Sequence, residues 1–585
     1  MHRFKTGRSP VGAIVAMAAL VGSAAPNVAT AQRAANAPSA GYLSHSALTA
    51  AIDEVRRANP SLVTVREIAK SPGGRAVHVV RVGSGGEAAD KRPAVLVVAN
   101  AFGPHVVSSE VALRIVRQMT SAYSRDTAMK RLLDQHTFYV VPRANPDAAE
   151  AFFGPVLSER TGNDEPFDSD RDGKVDEDGP SDVNGDGRIT SMRIEDPAGQ
   201  WIADSLNPLL MRRADATRGE RGRYRVMVEG RDLDKDGAFS EDGPGGTDIN
   251  ANFPNFYEYF GATSGNWPLS APEAWGIAEL FQTHQNIAVA YVLGPQDNVN
   301  SPWVGRRVPG IGGQPQGTSA SGPFTATLPE DDPWFAEGSR VFKRTTGLSR
   351  GPAGVEGKGD VLSWIYYHMG RLAFGSRTWW TPDMPADTSR RAAAPAAGGT
   401  DALSAERATL RWMEANRADA VVPWTRVQHP DFPGQNVEVG GIAPYAALNP
   451  PASMLDSLGA QHARFVGALA GMLPRLELRV AKVEAVGTRT WRITAHVANT
   501  GYLPTMSAMG ARARWPQRVR VDLKTSRGQE IASGRTMQLL NPLRGSGTST
   551  ELTWVIVGDA GSSVTLSAAS AIVGEASETI TLRAR

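Results

Sequence analysis

Two hydrophobic rhythms divide the chain. In its earlier part, solid apolar runs alternate with stretches of helical period. Leu48 to Asn59 reads as a helix and Val77 to Val82 as a strand. Pro93 to Asn100 (PAVLVVAN) is apolar without a break, as expected of a central strand covered on both faces. Ser108 to Tyr123 follows as a helix, with Val111, Ile115 and Met119 one turn apart on one side. Thr137 to Val141 is a further buried strand, and Asn145-Pro146-Asp147 reads as a turn. Ile287 to Leu293 and Leu372 to Ser376 complete the set. Strands separated by helices predict an α/β domain with a mixed central sheet and helices on both faces.

The second rhythm is strict alternation. Leu476/Leu478/Val480, Trp491/Ile493/Ala495/Val497, Val519/Val521/Leu523 and Leu552/Trp554/Ile556 alternate with polar residues, punctuated by Gly, Asn and Pro. That pattern predicts a small antiparallel β-sandwich over 475–585. It carries no cluster of titratable groups that suggests chemistry, so a stabilising or docking module is expected. Between the rhythms, a polar Asp/Gly-rich insertion runs from about 154 to 246 inside the α/β domain of 42–383. Residues 384–400, rich in Ala, Pro, Arg and Gly, read as a linker or mobile loop. A helical and irregular extension fills 401–474, opening with a helix from Ala402 to Asn416.

The N-terminus changes the picture of where the protein works. His2, Arg3, Lys5 and Arg8 form a positive region, and Val11 to Val21 is an apolar run too short for a comfortable membrane span. Ala29-Thr30-Ala31 is an A-x-A cleavage signal. Together they predict a secretory signal peptide over 1–31 and a secreted or periplasmic mature chain with no membrane span after its removal. The net charge of +2 over 585 residues gives no argument for nucleic acid. The absence of cysteine excludes disulfides, thiolate metal sites and cysteine nucleophiles. No G-x-S-x-G elbow supports serine hydrolase chemistry. His136, His284 and His368 lie on or beside predicted elements and read as packed or capping residues.

Three segments of the insertion share the form D-x-[DN]-x-D-G. They carry Asp168, Asp170 and Asp172; Asp182, Asn184 and Asp186; and Asp232, Asp234 and Asp236. Oxygen ligands at the first, third and fifth positions, with glycine next for a sharp turn, suit a hard cation. The twelfth position is Gly179, Arg193 or Gly243 rather than the bidentate Glu of a full EF-hand. Later carboxylates such as Asp176, Glu177 and Asp178, or Glu241 and Asp242, are the candidates to complete the shell. A structural calcium is therefore expected for an insertion with little apolar core of its own.

Over Tyr42 to Trp380 the chain resembles the zinc carboxypeptidases of the A/T type, most of all bacterial members with an Asp-rich insertion and a C-terminal β domain. The residues that carry the resemblance are VLVVANAFGPH with Glu110 downstream, VPRANPD, the Asp-rich insertion, GGTDINANFP, WPLSAPEA, NIAVAYVLGPQDN and GDVLSWIYYHMGRLAFGSRTWW. The resemblance implies a zinc ion held by a His and a Glu in the strand-to-helix loop and a His after a later strand, with one open position for water. It also implies a glutamate general base and an Asn-Arg pair for the substrate's carboxylate.

This chain departs from that pattern at nearly every chemical position. Phe102 stands at the first His, His105 at the Glu, Gly294 at the second His and Arg377 at the general base. Asn250 is kept, but Ala251 replaces its Arg partner. A phenyl ring and a glycine offer no donor, and a guanidinium stays protonated at neutral pH. Zinc is not expected, and no catalytic residue is assigned. The expected function is an inactive carboxypeptidase-like protein whose cleft holds a peptide or peptidoglycan-type peptide, with Asn250, Arg377 and His105 as contacts. The alternatives are an active metallocarboxypeptidase with a rearranged site drawing on His105 and Asp297, and a structural or assembly protein that docks through the β-sandwich.

Overall fold

The computed structural model describes residues 39–166, 179–233, 245–305, 326–352, 357–382 and 403–583, with isolated positions between these stretches. Residues 1–31, read above as a signal peptide, residues 384–400, read as a linker, the Asp168–Asp176 loop, Glu177, Asp178, Asp234, Asp236, Glu241 and Asp242 lie outside the described residues. Among the described residues no helix is long and apolar enough to cross a membrane.

The chain opens with helix α1 (His45–Ala58), then the antiparallel pair β1 (Val63–Lys70) and β2 (Ala76–Val82), then β3 (Ala94–Ala99). Helix α2 (Val106–Ala122) and α3 (Thr127–Gln135) lead to β4 (Thr137–Val141) and a short helix α4 (Pro146–Glu150). The last is where a plain turn was expected. Asn145 accepts the Ala148 N–H and Pro146 occupies the first turn, so the Asn-Pro pair starts a helix instead.

The insertion supplies β5 (Ser191–Glu195), β6 (Trp201–Ala203), β7 (Met211–Arg213) and β8 (Tyr224–Val228). Helix α5 (Pro272–Thr283) and β9 (Ile287–Leu293) return to the main sheet. A two-residue pair, β10 (Val308–Pro309) and β11 (Pro315–Gln316), precedes α6 (Asp332–Thr346), α7 (Val361–Tyr367) and β12 (Leu372–Ser376).

The main sheet has the order β1-β2-β4-β3-β9-β12. Its first two contacts are antiparallel, and the contacts from β4 through β3 and β9 to β12 are parallel. The expected mixed α/β sheet is present. β3, β4 and β12 are buried along their whole length, which is why they carry no polar alternation.

The extension begins with α8 (Ser404–Asn416) and continues with β13 (Val421–Val427), β14 (Val437–Ile442) and helix α9 (Leu455–Met472). It is more ordered than its sequence suggests. β13 and β14 join the insertion in one antiparallel sheet, β13-β14-β5-β8-β6-β7. That sheet has a small core of Met192, Ile194, Phe432, Val437 and Val439. Helix α9 packs on α2 and α6, and even the polar start of α2, Ser108 to Glu110, is buried. Glu110 is satisfied there by the Leu43 N–H and by Arg114.

The last domain is a sandwich of two four-stranded sheets. One contains β15 (Leu476–Gly487), β16 (Thr490–Asn499), β18 (Glu530–Ser533) and β20 (Thr548–Val557). The other contains β17 (Arg520–Lys524), β19 (Met537–Leu539), β21 (Ser563–Ser570) and β22 (Gly574–Thr581). The alternating residues Trp491, Ile493, Val497, Val521, Trp554 and Ile556 face inward into a core separate from the first. A short helix, α10 (Ala508–Ala513), interrupts the domain between β16 and β17.

Candidate functional site

The register of three parallel strands builds the site. Ala99 at the end of β3 pairs with Leu293 at the end of β9, and Leu293 pairs with Ser376 at the end of β12. The residues that follow, the Phe102–His105 loop, Gly294 and Arg377, therefore leave the sheet side by side. The Gly294 N–H donates to the Ser376 carbonyl at 3.1 Å. A crevice beyond the carboxyl ends of parallel strands is where α/β sheets present functional groups.

Asn250 joins the group from a turn at Ile249–Ala251, where its Nδ2 donates to Gln296 Oε1 at 2.8 Å. The structure thus brings together the five positions singled out in the sequence. Phe102 and His105 stack edge to face, their ring centroids 5.2 Å apart. His105 precedes α2, is buried, and has no hydrogen-bond partner at Nδ1. Burial, reinforced by the charge of Arg377, pushes its pKa down to about 3, so the ring is neutral at physiological pH.

Arg377 is half-buried, and its Nε is likewise without a partner. Desolvation lowers its pKa, while the nearby Asp297 carboxylate acts the other way. Asp297 is itself engaged. It accepts the N–H groups of Val299 (3.1 Å) and Asn300 (2.7 Å), the Asn300 amide (2.7 Å) and, at 3.4 Å, the Arg377 N–H.

Gly294 is buried yet has room. A Cβ there would meet only Gln296 Oε1 and Val292 Cγ1, each at 3.9 Å. Glycine at this position leaves space in the crevice rather than relieving a clash.

The donor set does not fit zinc. Of the four chemical positions, only His105 offers a lone pair, and the positive charge of Arg377 is close enough to act on its ring. Among the described residues, no three His, Asp or Glu side chains converge as a zinc site needs.

Several functional-looking groups were not legible in the sequence. Asp248 is buried, caps Asn250 through its backbone N–H, and has its pKa raised to about 7 by burial. His462 on α9 is buried against β9 and β12, with Nδ1 2.7 Å from Tyr291 Oη and Nε2 3.0 Å from the Thr378 carbonyl. Tyr291 Oη also lies 2.7 Å from Ser376 Oγ. Asn449, from the extension, accepts the Val107 N–H at 2.8 Å and donates to the Pro104 carbonyl at 2.9 Å. It thereby ties the end of the Phe102–His105 loop to the first turn of α2. His136, His284 and His368 each close the C-terminus of a helix, as expected of capping residues.

Of the Asp-rich loops, the one from Asp182 to Gly187 is described in full. Asp182 accepts the N–H groups of Gly185, Asp186 and Gly187, and Asn184 Oδ1 accepts that of Asp186. The buried carboxylate of Glu229 accepts the N–H groups of Val183 within the loop and of Thr190 beyond it. Asp232 makes the same kind of turn, accepting from Lys235 at 2.6 Å and Gly237 at 3.2 Å.

Residues 48–175 match the family model described as zinc carboxypeptidase, and residues 475–581 match a family described only as a domain of unknown function. The zinc carboxypeptidase of Saccharothrix mutabilis subsp. capreolus is 26% identical over 110 residues, covering 19% of this chain and 25% of that protein. Carboxypeptidase B of Rattus norvegicus is 29% identical over 106 residues, covering 18% and 25% respectively. The chain spans about a quarter of the length of these curated relatives. Among solved structures, bovine thrombin-activatable fibrinolysis inhibitor in complex with tick carboxypeptidase inhibitor aligns at 12% identity and a TM-score of 0.39, over 73% of this chain and 96% of that one. A metallo-carboxypeptidase from Burkholderia cenocepacia aligns at 12% identity and a TM-score of 0.34, over 73% and 69%. The likeness to zinc carboxypeptidases is thus shown over residues 48–175, the segment that the family model matches.

Proposed function

We propose that this is an exported carboxypeptidase-like protein that binds peptides or cell-wall peptides in the old cleft and does not hydrolyse them. The observation that carries the reading is Arg377. It stands at the family's general-base position, acts electrostatically on the neutral His105, and keeps an unpartnered Nε. A guanidinium cannot deprotonate water, but it recognises a carboxylate strongly in a desolvated crevice. His105 Nδ1 and the Asn250 amide would complete the polar contacts, and the space over Gly294 would admit the ligand. A peptidase built on displaced ligands would draw on Asp297, whose carboxylate is already held by three backbone N–H groups and an amide.

The test pairs metal analysis with calorimetry on the purified mature protein. Peptides with a free C-terminal carboxylate should bind without zinc and without release of residues. Amidated peptides and the Arg377→Ala variant should bind at least about tenfold more weakly, the loss of one charge-assisted pair. Stoichiometric zinc with release of C-terminal residues would restore the peptidase reading.

The same reading includes structural calcium in the Asp-rich loops. Asp182, Asn184 and Asp186 are the described ligand candidates, with Asp232 in the third loop. A hard cation needs six to eight oxygens, so the remainder would come from backbone carbonyls, water and the neighbouring carboxylates. Chelator treatment should lower the melting temperature of the parent but not of a variant with Asp182→Ala and Asp232→Ala. An unchanged melting temperature in the parent would remove calcium from the account.

A further inference from the structure

We propose a second ligand site, for a small multivalent anion, in the cleft between the α/β domain and the β-sandwich. The cleft holds about 750 Å³, within the range of small-molecule sites. It lies at the opposite end of the sheet from Arg377. Pro93 and His136, which line it, immediately precede β3 and β4. The second wall comes from Arg475, Thr500, Gly501 and Gly574 at the base of the sandwich. Neither domain forms the cleft alone, and junctions between domains are a preferred place for ligand sites.

The charge of the lining is the argument. Lys91, Arg92, Arg131 and Arg475 face the cleft, against the carboxylates of Asp134 and Glu575. Asp134 is already held by Lys130 at 2.6 Å, Ser84 at 2.6 Å and Tyr123 at 2.8 Å. Lys91, Arg131 and Arg475 form no ion pair among the described residues. Glu477, two residues on in β15, feels the charge of Arg475 but is paired with Arg479 at 2.7 Å. Arg92 is fixed by carbonyl oxygens alone, with Nη1 2.8 Å from Ser84 O and 3.4 Å from Leu133 O. The carbonyl end of α3 accounts for Arg92. It does not account for the other three cations, since such a terminus is worth only about 0.3–1 kcal/mol to one nearby charge.

The imidazole of His136 registers the crowding. Its pKa is lowered by burial first and then by the charges of Arg475 and Arg92. Four cations from two domains against one carboxylate not already engaged, Glu575, are an arrangement that binds a polyanion. The shared ligand chemistry is a compact group bearing two or more negative charges, from a phosphorylated or a polycarboxylated molecule.

Titration calorimetry on the full mature chain, at constant ionic strength, tests the site with pyrophosphate and with citrate. Arg131→Gln and Arg475→Gln are the variants. Both side chains are exposed, so folding should be unaffected, and unliganded melting curves check this. The expected result is one site per chain with a dissociation constant below about 1 mM for at least one probe, weakened at least about tenfold in each variant. Tighter binding of pyrophosphate identifies a phosphate-bearing ligand, and tighter binding of citrate a polycarboxylate. Failure of both probes to bind below about 10 mM, or binding that both variants leave unchanged, overturns the proposal.

Discussion

At the scale of single residues, the crevice differs from the core around it. Two glycines, Gly294 beside the site and Gly338 in the core, make the contrast measurable. A Cβ at Gly294 would meet nothing closer than 3.9 Å, whereas a Cβ at Gly338 would lie 2.0 Å from Phe374 Cε1. Gly294→Ala should be neutral or stabilising by up to about 1 kcal/mol. Gly338→Ala should cost at least about 1–3 kcal/mol, because Phe374 is fully buried and cannot give way. Urea denaturation of both variants checks the pair. Equal losses would mean that the space over Gly294 closes in solution.

Buried titratable residues make a second prediction. His105 and His462 have folded pKa values of about 3 and about 4, both lowered first by burial. The unfolded chain takes up protons near 6.5 that the folded state refuses. The stability these two residues contribute is therefore complete above about pH 6.5 and is lost as the pH falls toward 4 and 3. Asp248 and Glu273 act in the opposite sense. Burial raises both to about 7, so their contribution is complete below the ordinary carboxylate range and is lost as the pH rises through 7. Asp248→Asn should remove part of that alkaline loss, on the order of 2–4 kcal/mol between pH 4 and 8. Denaturation at a series of pH values should show the variant's stability falling less than the parent's. Parallel curves would mean that Asp248 is not protonated in the folded state.

At the scale of elements, the extension supports the site. Asn449 pairs with Pro104 and Val107, so the loop bearing Phe102 and His105 is held by a residue from beyond the linker region. Asn449→Ala leaves the Val107 N–H and the Pro104 carbonyl unpaired in a buried place. It should cost about 1–3 kcal/mol and speed hydrogen exchange at residues 102–108 before any other part of α2. Unchanged exchange there would assign the bond no positioning role.

The same example shows what the sequence could and could not disclose. Strands β3, β4, β9 and β12 were legible because they are buried on both faces and their apolar runs are unbroken. β1 was not, since most of VTVREIAK is exposed or half-exposed and the strand sits at the sheet's edge. The joint sheet of insertion and extension escaped because its core is only a handful of residues drawn from two distant segments. The site positions were legible through the family motifs. Asn449 and His462 were not, because nothing local marks a residue whose partners lie on other elements hundreds or tens of positions away.

At the scale of the whole molecule, the two large cores are separate but the domains are joined at a polar hinge point. The excursion between β16 and β17 sends Leu503 and Met509 into the core of the α/β domain. There Asp331, at the start of α6, accepts the N–H groups of Ala508 at 2.8 Å and Met509 at 3.0 Å, and the Tyr366 hydroxyl at 3.0 Å. Ser507 Oγ adds a bond to the Gly370 carbonyl at 2.9 Å. One carboxylate thus couples the sandwich to two helices of the α/β domain. Asp331→Ala would strand two buried N–H donors and a hydroxyl, at a cost of about 2–4 kcal/mol. The loss should fall on the junction rather than on either core. The parent should unfold in one calorimetric transition, whereas the variant should resolve into two, with the sandwich and the α/β domain melting apart. The variant should also weaken pyrophosphate or citrate binding, because the anion cleft needs both walls in register. A single transition in Asp331→Ala with anion binding intact would mean that apolar packing through Leu503 and Met509 is enough to hold the domains together.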